Sequence, residues 1–95
     1  MVSFIVRMRF APEDHERVRE ILRALAPASL KEPGCVHYVP HFLEEDADTV
    51  LIYEQYKDQA AAQFHRETEH FKQHAVGGLY QLMRERSIQN LTAIL

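Results

Sequence analysis

The chain has a single cysteine, Cys35, and no tryptophan. A lone cysteine forms no internal disulfide and supplies no cysteine-based metal cluster, so nothing here demands an oxidising compartment. Positive charge is in the minority, with 11 Lys and Arg against 14 Asp and Glu and a formal charge of -3. Nucleic-acid binders carry a clustered basic footprint, and this balance argues against that class. Long apolar runs are missing as well. The opening MVSFIVRMRF is broken by Arg7 and Arg9 and is too short to cross a bilayer, so neither a signal peptide nor a membrane anchor is expected. There are only three glycines and four prolines, and no repeat or low-complexity stretch. No Gly-rich phosphate loop, nucleophile elbow or dinucleotide fingerprint is found. With 95 residues, the expectation is one small cytoplasmic domain spanning 1–95. Any catalysis must use acid–base groups in a shaped pocket, or a metal or cofactor that the sequence does not advertise.

What is present has a clear order. Val2, Phe4, Val6, Met8 and Phe10 alternate with Ser3, Arg7 and Arg9, which is the period of a strand. Ala11-Pro12-Glu13-Asp14 opens a helix, with proline in the tolerated first turn and acids facing the positive end of the dipole. Val18, Ile21, Leu22 and Leu25 form its apolar stripe, and Pro27 is expected to end it. Glu32-Pro33-Gly34 reads as a turn and Cys35 to Leu43 as a second strand. Its expected faces are Val36, Tyr38 and Phe42 on one side, with His37, Val39 and His41 on the other. Pro40 marks an edge or a bulge. A loop at 44–48 leads to a third strand, Thr49 to Tyr56. Asp58 is a good N-cap for a helix over Gln59 to Arg66. Thr68 is placed to cap another helix, striped by Phe71, Ala75, Leu79 and Leu82. The Gly77-Gly78 pair within it implies a kink or a close backbone approach. Ser87 to Leu95 reads as the last strand. This β-α-β-β-α-β order is that of an α+β ferredoxin-like sandwich with an antiparallel sheet. Helices cover one face of such a sheet, yet apolar residues occupy both faces here, so a homodimer is expected.

Six histidines are the unusual feature. His15 starts a helix and reads as solvated. His37 and His41 share a strand face roughly 13 Å apart, too far to chelate one ion without a bend at Pro40. His70 and His74, four apart on a helix, have a spacing that suits a metal, with Glu67 or a histidine from elsewhere as a third ligand, but they lack the acid that follows the first histidine in metalloprotease helices. No metal is therefore assigned. His65, at a helix end beside Phe64, can accept or deliver a proton near neutral pH, or can be a buried histidine bonded to a carbonyl. Glu54 is a carboxylate inside an apolar strand, where it must be paired or functional. Tyr38, Tyr53, Phe64, Phe71, Tyr80 and Met83 are candidates for an aromatic pocket or for plain core. Cys35 has no basic sequence neighbour to activate it.

Three segments, Glu32-Pro33-Gly34-Cys35, Leu51 to Tyr56, and Ala61 to His65 through His70-Phe71, together resemble the antibiotic biosynthesis monooxygenase family. The run YEQYKDQAAAQFHRETEHFK is especially similar to the branch of quinol monooxygenases and of the phospho-autoinducer isomerase of quorum-signal breakdown. The resemblance implies a ferredoxin-like fold whose sheets meet in a dimeric α/β-barrel. It implies oxidation of a quinol-like or polyketide-like aromatic by molecular oxygen, without metal, flavin or haem. Carried over by position, His65 and Glu54 are the catalytic candidates. Tyr53, Phe64, His70 and Phe71 fall near the substrate. His41 joins them as an extra histidine that leaves room for a metal or an altered substrate. Glu69 stands where many relatives have proline. The absence of tryptophan counts against haem degradation. The alternatives are an isomerase of a small phosphorylated carbonyl compound, held by Arg7, Arg9 and Lys57, or a non-catalytic dimeric small-molecule-binding module.

Overall fold

A computed structural model describes residues 1–95. Strand β1 (Val2–Arg9) lies inside the sheet, antiparallel to β3 (Thr49–Tyr56) on one side and β4 (Glu85–Leu91) on the other. Strand β2 (Cys35–Phe42) pairs with the far side of β3, so the order is β2-β3-β1-β4 with every pair antiparallel. This is the ferredoxin-like α+β arrangement. The sheet is open, with β2 and β4 at its edges.

Alternation decides which side chains meet the helices. From the sheet, Val6, Met8, Phe10, Tyr38, Val50 and Ile52 pack against Val18, Ile21, Leu22 and Leu25 of α1 (His15–Leu30). Ala75 and Leu79 complete this core from the third helix. Full burial of a side chain such as Leu25 or Ile52 contributes about 1.5–3 kcal/mol. A smaller cluster seats Tyr56 under Ala61 and Ala62 of α2 (Gln59–Glu67). Asp58 caps α2 as expected, its Oδ1 accepting the Ala61 N–H at 2.8 Å. No helix is long and apolar enough to cross a membrane.

Four details depart from the expectations. Pro27 does not end α1, which continues to Leu30. Proline forfeits one bond, but Ser29 in the following turn is fully buried, and Lys31 and Glu32 close the end with bonds to Ala28 and Ser29. Packing here overrides the local breaker. In β2 a bulge between Cys35 and His37 inserts Val36 as an extra residue. Cys35 therefore shares the helix-side face with Tyr38, while Val36 is exposed. Strand β4 begins earlier than expected and stops at Leu91, with every residue exposed. The third helix, α3, is π-helical over Phe71–Leu79 before a single α turn, Tyr80–Leu82. Within it, a Cβ at Gly78 would sit 3.1 Å from Ile21 Cδ1, so this glycine serves the close approach of α3 to α1.

Gly34 imposes a sharper constraint. It opens β2 beneath α2, its carbonyl accepts the Lys57 N–H at 2.9 Å, and a Cβ would collide with that of Ala61. Both atoms are fixed to backbone, so neither can yield cheaply. Gly34→Ala is expected to destabilise the chain by about 1–3 kcal/mol, lowering the melting midpoint by roughly 5–20 °C. A melt within 2 °C of the unmodified chain, roughly a quarter to a half of 1 kcal/mol, would show that the turn moves freely.

Candidate active site

The site is assembled at the α2–α3 junction. Ala61, Ala62 and His65 share the buried side of α2, so the sheet-facing stripe that seats the helix also carries an imidazole inward. The last turn is pinned by Thr68, whose Oγ1 donates to the His65 carbonyl at 2.8 Å and accepts the Phe71 N–H at 3.2 Å. His65 is 3% exposed. Its ring packs among those of Tyr38, Tyr56 and Phe71 at centroid distances of 5.6, 5.3 and 5.1 Å.

A buried carboxylate holds this imidazole from behind. Glu32 Oε2 lies 2.8 Å from His65 Nδ1 and 2.6 Å from His70 Nε2. An ionised carboxylate only accepts, so both rings donate to it, and His65 is set as the Nδ1–H tautomer. The lone pair then resides on Nε2, which lies 3.8 Å from Glu54 Oε1. Glu54 Oε1 also accepts the Tyr56 hydroxyl at 2.6 Å. Burial pushes the Glu54 carboxyl up to about 7, against the lowering effect of Tyr56 and the more distant Arg86. Burial also lowers the His65 pKa, outweighing the raising influence of Glu32, so the ring is neutral when not accepting a proton. Desolvation and the nearby Glu54 raise the Tyr38 and Tyr56 phenols well above their ordinary value.

His65 and Glu54 open onto a cavity of about 170 Å³ between sheet and helices. Phe4, Val6, Met8, Tyr38 and Ile52 line it from the sheet, and Phe71, Ala75, Leu79 and Tyr80 from α3. Exposed Gln59, Arg66, Arg86 and Asn90 add a polar and cationic rim, interrupted by the exposed Ile88. The Arg86 guanidinium stacks 5.2 Å from the Tyr80 ring centroid.

Of the residues expected at the site, His65, Glu54 and Phe71 border this cavity. Tyr53 does not: it neighbours Glu54 in β3, so the pleat turns it to the opposite, open face of the sheet. Phe64 is half exposed on the outer side of α2 and lines a separate cleft with Glu32 and His70. His70 is absent from the cavity wall because it stands behind His65, bonded to Glu32. His41 sits on the edge strand in an outer groove with Arg19 and Arg23. The His70–His74 pairing also dissolves, since the histidine that shares a partner with His70 is His65. Arg7, Arg9 and Lys57 are not on the cavity, and Arg9 is engaged with Glu85 at 2.7 Å. Cys35 is pushed up to about 11 by burial and the nearby Glu32 and Glu54 carboxylates, so it is no nucleophile. The residue that sequence reasoning passed over is Glu32. It stands in the Glu32-Pro33-Gly34 turn, where nothing local marks a buried acid, and its partners lie 33 and 38 residues away.

The sequence pattern of the antibiotic biosynthesis monooxygenase family matches residues 1–76. The chain belongs to this family. Among solved structures, a Pseudomonas aeruginosa protein is similar at 31% identity and a TM-score of 0.90, over 99% of this chain and 94% of that one. A Bacteroides thetaiotaomicron protein of unknown function gives 27% identity and a TM-score of 0.87, over 95% and 94% of the two chains. A Nitrosomonas europaea protein assigned to the antibiotic biosynthesis monooxygenases superposes over the full length of both chains, with a TM-score of 0.92 at 24% identity. A comparison with curated proteins finds no match.

Glu54 gives this family member a testable pH signature. Its folded pKa of about 7 exceeds the ordinary 4.5, so the folded chain binds more protons between those values and stability falls as pH rises through that window. Glu54→Gln, neutral throughout and still able to accept from Tyr56, is expected to be more stable than the unmodified chain at pH 8, by up to about 3 kcal/mol. The difference should shrink toward pH 4.5. Urea unfolding at both pH values checks this, and a variant that is less stable at pH 8 would show that the carboxylate is a favourable ion there.

Proposed function

We propose that this chain is a cofactor-independent monooxygenase that oxidises a quinol-like, single-ring aromatic with molecular oxygen. The observation that carries this reading is the Glu32–His65 pair, whose free imidazole nitrogen borders an aromatic-walled cavity. The cavity's size narrows the substrate within the quinol and polyketide classes. About 170 Å³ is close to the roughly 150 Å³ of an engineered cavity that holds benzene, so a single aromatic ring fits.

His65 Nε2 removes a hydroxyl proton from the bound quinol. The imidazolium so formed is stabilised by Glu32 at 2.8 Å on one edge and by Glu54 on the other. The quinolate passes an electron to oxygen, and the two radicals join to make a carbon–oxygen bond. A proton returned from His65 turns the resulting peroxide anion into a hydroperoxide, whose distal oxygen then leaves with the ring hydrogen as water. One oxygen atom ends in a hydroxyquinone and the other in water, with the substrate supplying all the electrons. Tyr38, Phe71 and Tyr80 hold the ring, and the Arg66 and Arg86 cations favour its anionic form.

The open sheet face presents Ile5, Leu51, Tyr53 and Val39, none of which joins the core. A second copy of the chain is the occupant proposed for it, as in the dimeric barrel that the resemblance implies. Sedimentation should give a dimer, and Leu51→Asp, which places a charge on that face, should give a monomer. A monomeric unmodified chain would remove the dimer from the proposal.

The reaction is tested by oxygen uptake with chelator-treated protein across hydroquinones and larger anthrones. His65→Ala, with its fold verified by circular dichroism, is expected to lose 10²–10⁴-fold in turnover. Single-ring quinols should be preferred over anthrones. Uptake unchanged in the variant would remove His65 from the mechanism. No uptake on any substrate, with oxygen-independent conversion of a phosphorylated carbonyl compound, would replace the oxygenase with an isomerase. Saturable binding without turnover would leave a binding module.

A further inference from the structure

We propose that Glu32, His65 and His70 form a binding site for a first-row divalent transition ion, of which zinc is the natural probe. The inference is independent of the oxygenase reading and concerns the back of the His65 ring, away from the cavity.

Three observations carry it. One donor atom from each residue lies within 4.8 Å of the others, and Glu32 Oε2 is 2.8 and 2.6 Å from the two nitrogens. Donors around a tetrahedral zinc with bonds near 2.0–2.1 Å stand about 3.3 Å apart, so small side-chain adjustments open the cluster to an ion. Second, Glu32 Oε1 is buried with no hydrogen-bond partner, on a side chain only 3% exposed. A buried carboxylate oxygen left unpaired is costly, and a cation would satisfy it. Third, the cluster is reached from outside. Glu32 and His70 line the outer cleft with Phe64 and Thr68, and the His70 side chain is 23% exposed.

Two imidazole nitrogens and one carboxylate suit zinc, cobalt or nickel, whereas magnesium and calcium prefer all-oxygen sites. Three protein ligands leave a fourth position for water. Binding needs no net loss of protons. Each neutral ring moves its proton to the other nitrogen, so His65 holds the ion through Nδ1 and carries its proton on Nε2. In that state Nε2 is a donor with no lone pair, and His65 cannot act as a base toward the cavity.

Isothermal titration of chelator-stripped protein with zinc at pH 7.5 tests the site without substrate. One ion per chain is expected, with micromolar or tighter affinity. His70→Ala, a partly exposed position, should weaken binding at least tenfold, and Glu32→Gln should do the same if it folds. His74→Ala, one turn further along α3, should bind as the unmodified chain does. Ring ¹⁵N spectra should show the His65 proton on Nδ1 without zinc and on Nε2 with it. Absence of saturable binding below about 100 µM, affinity unchanged in His70→Ala, loss in His74→Ala, or an unmoved His65 proton would each overturn the proposal. None of these outcomes bears on oxygen uptake by the zinc-free protein.

Discussion

The Glu32 carboxylate is the contact on which the arrangement of the site depends. It belongs to the turn that links α1 to β2, and its two partners belong to the end of α2 and the start of α3. The turn itself is locked by the Cys35 N–H bonded to the Glu32 carbonyl and by the Gly34 carbonyl that receives Lys57. A carboxylate taken out of water is expensive to bury, and its two imidazole donors offset that expense only while both are in place. The same bonds that make the burial tolerable therefore fix the orientation and tautomer of His65. Structural satisfaction and chemical preparation are here one interaction.

Stability and chemistry pull apart at Glu54. Its neighbour Tyr56 satisfies one oxygen, but no cation pairs with it directly, and burial raises its pKa to about 7. A glutamine would relieve the desolvation while keeping the Tyr56 bond. A carboxyl held near neutrality can instead exchange a proton with a base 3.8 Å away, which a glutamine cannot. Buried groups of this kind concentrate where function rather than packing sets the residue.

Much of this was legible in the chain, and the reasons divide by distance. The strands Val2 to Phe10 and Thr49 to Tyr56 announce themselves because alternation is local and one face of each supplies most of its buried side chains. The Asp58 cap and the Thr68 cap are readable because both act within three residues. Where a neighbour in space decides, the local signal fails. Pro27 looks like a stop until Ser29 is seen to be buried beyond it. Val36 looks inward until the bulge shifts the phase of β2 by one residue. Tyr53 and Glu54 cannot both face the cavity, since adjacent strand residues point to opposite sides, and only the pairing of β3 tells which one does. Glu32 is the strongest case. No periodicity marks an acid beside Pro33 and Gly34 as buried, and only the folded chain brings His65 and His70 to it.

The position of Glu32 also gives the site two sides. The cavity meets His65 at Nε2, while the outer cleft meets the cluster at Glu32 and His70. An imidazole has one proton when neutral and two nitrogens that share it, so whatever takes Nδ1 decides what Nε2 offers. A carboxylate at Nδ1 leaves a lone pair toward the cavity, whereas a cation at Nδ1 leaves an N–H. The two occupants of the outer side thus prescribe opposite chemistry on the inner side, without contact between a cation in the cleft and a molecule in the cavity. Histidine alone among the side chains transmits such a choice across a single ring, which gives a physical reason for an imidazole, rather than a second carboxylate, to stand between the two openings.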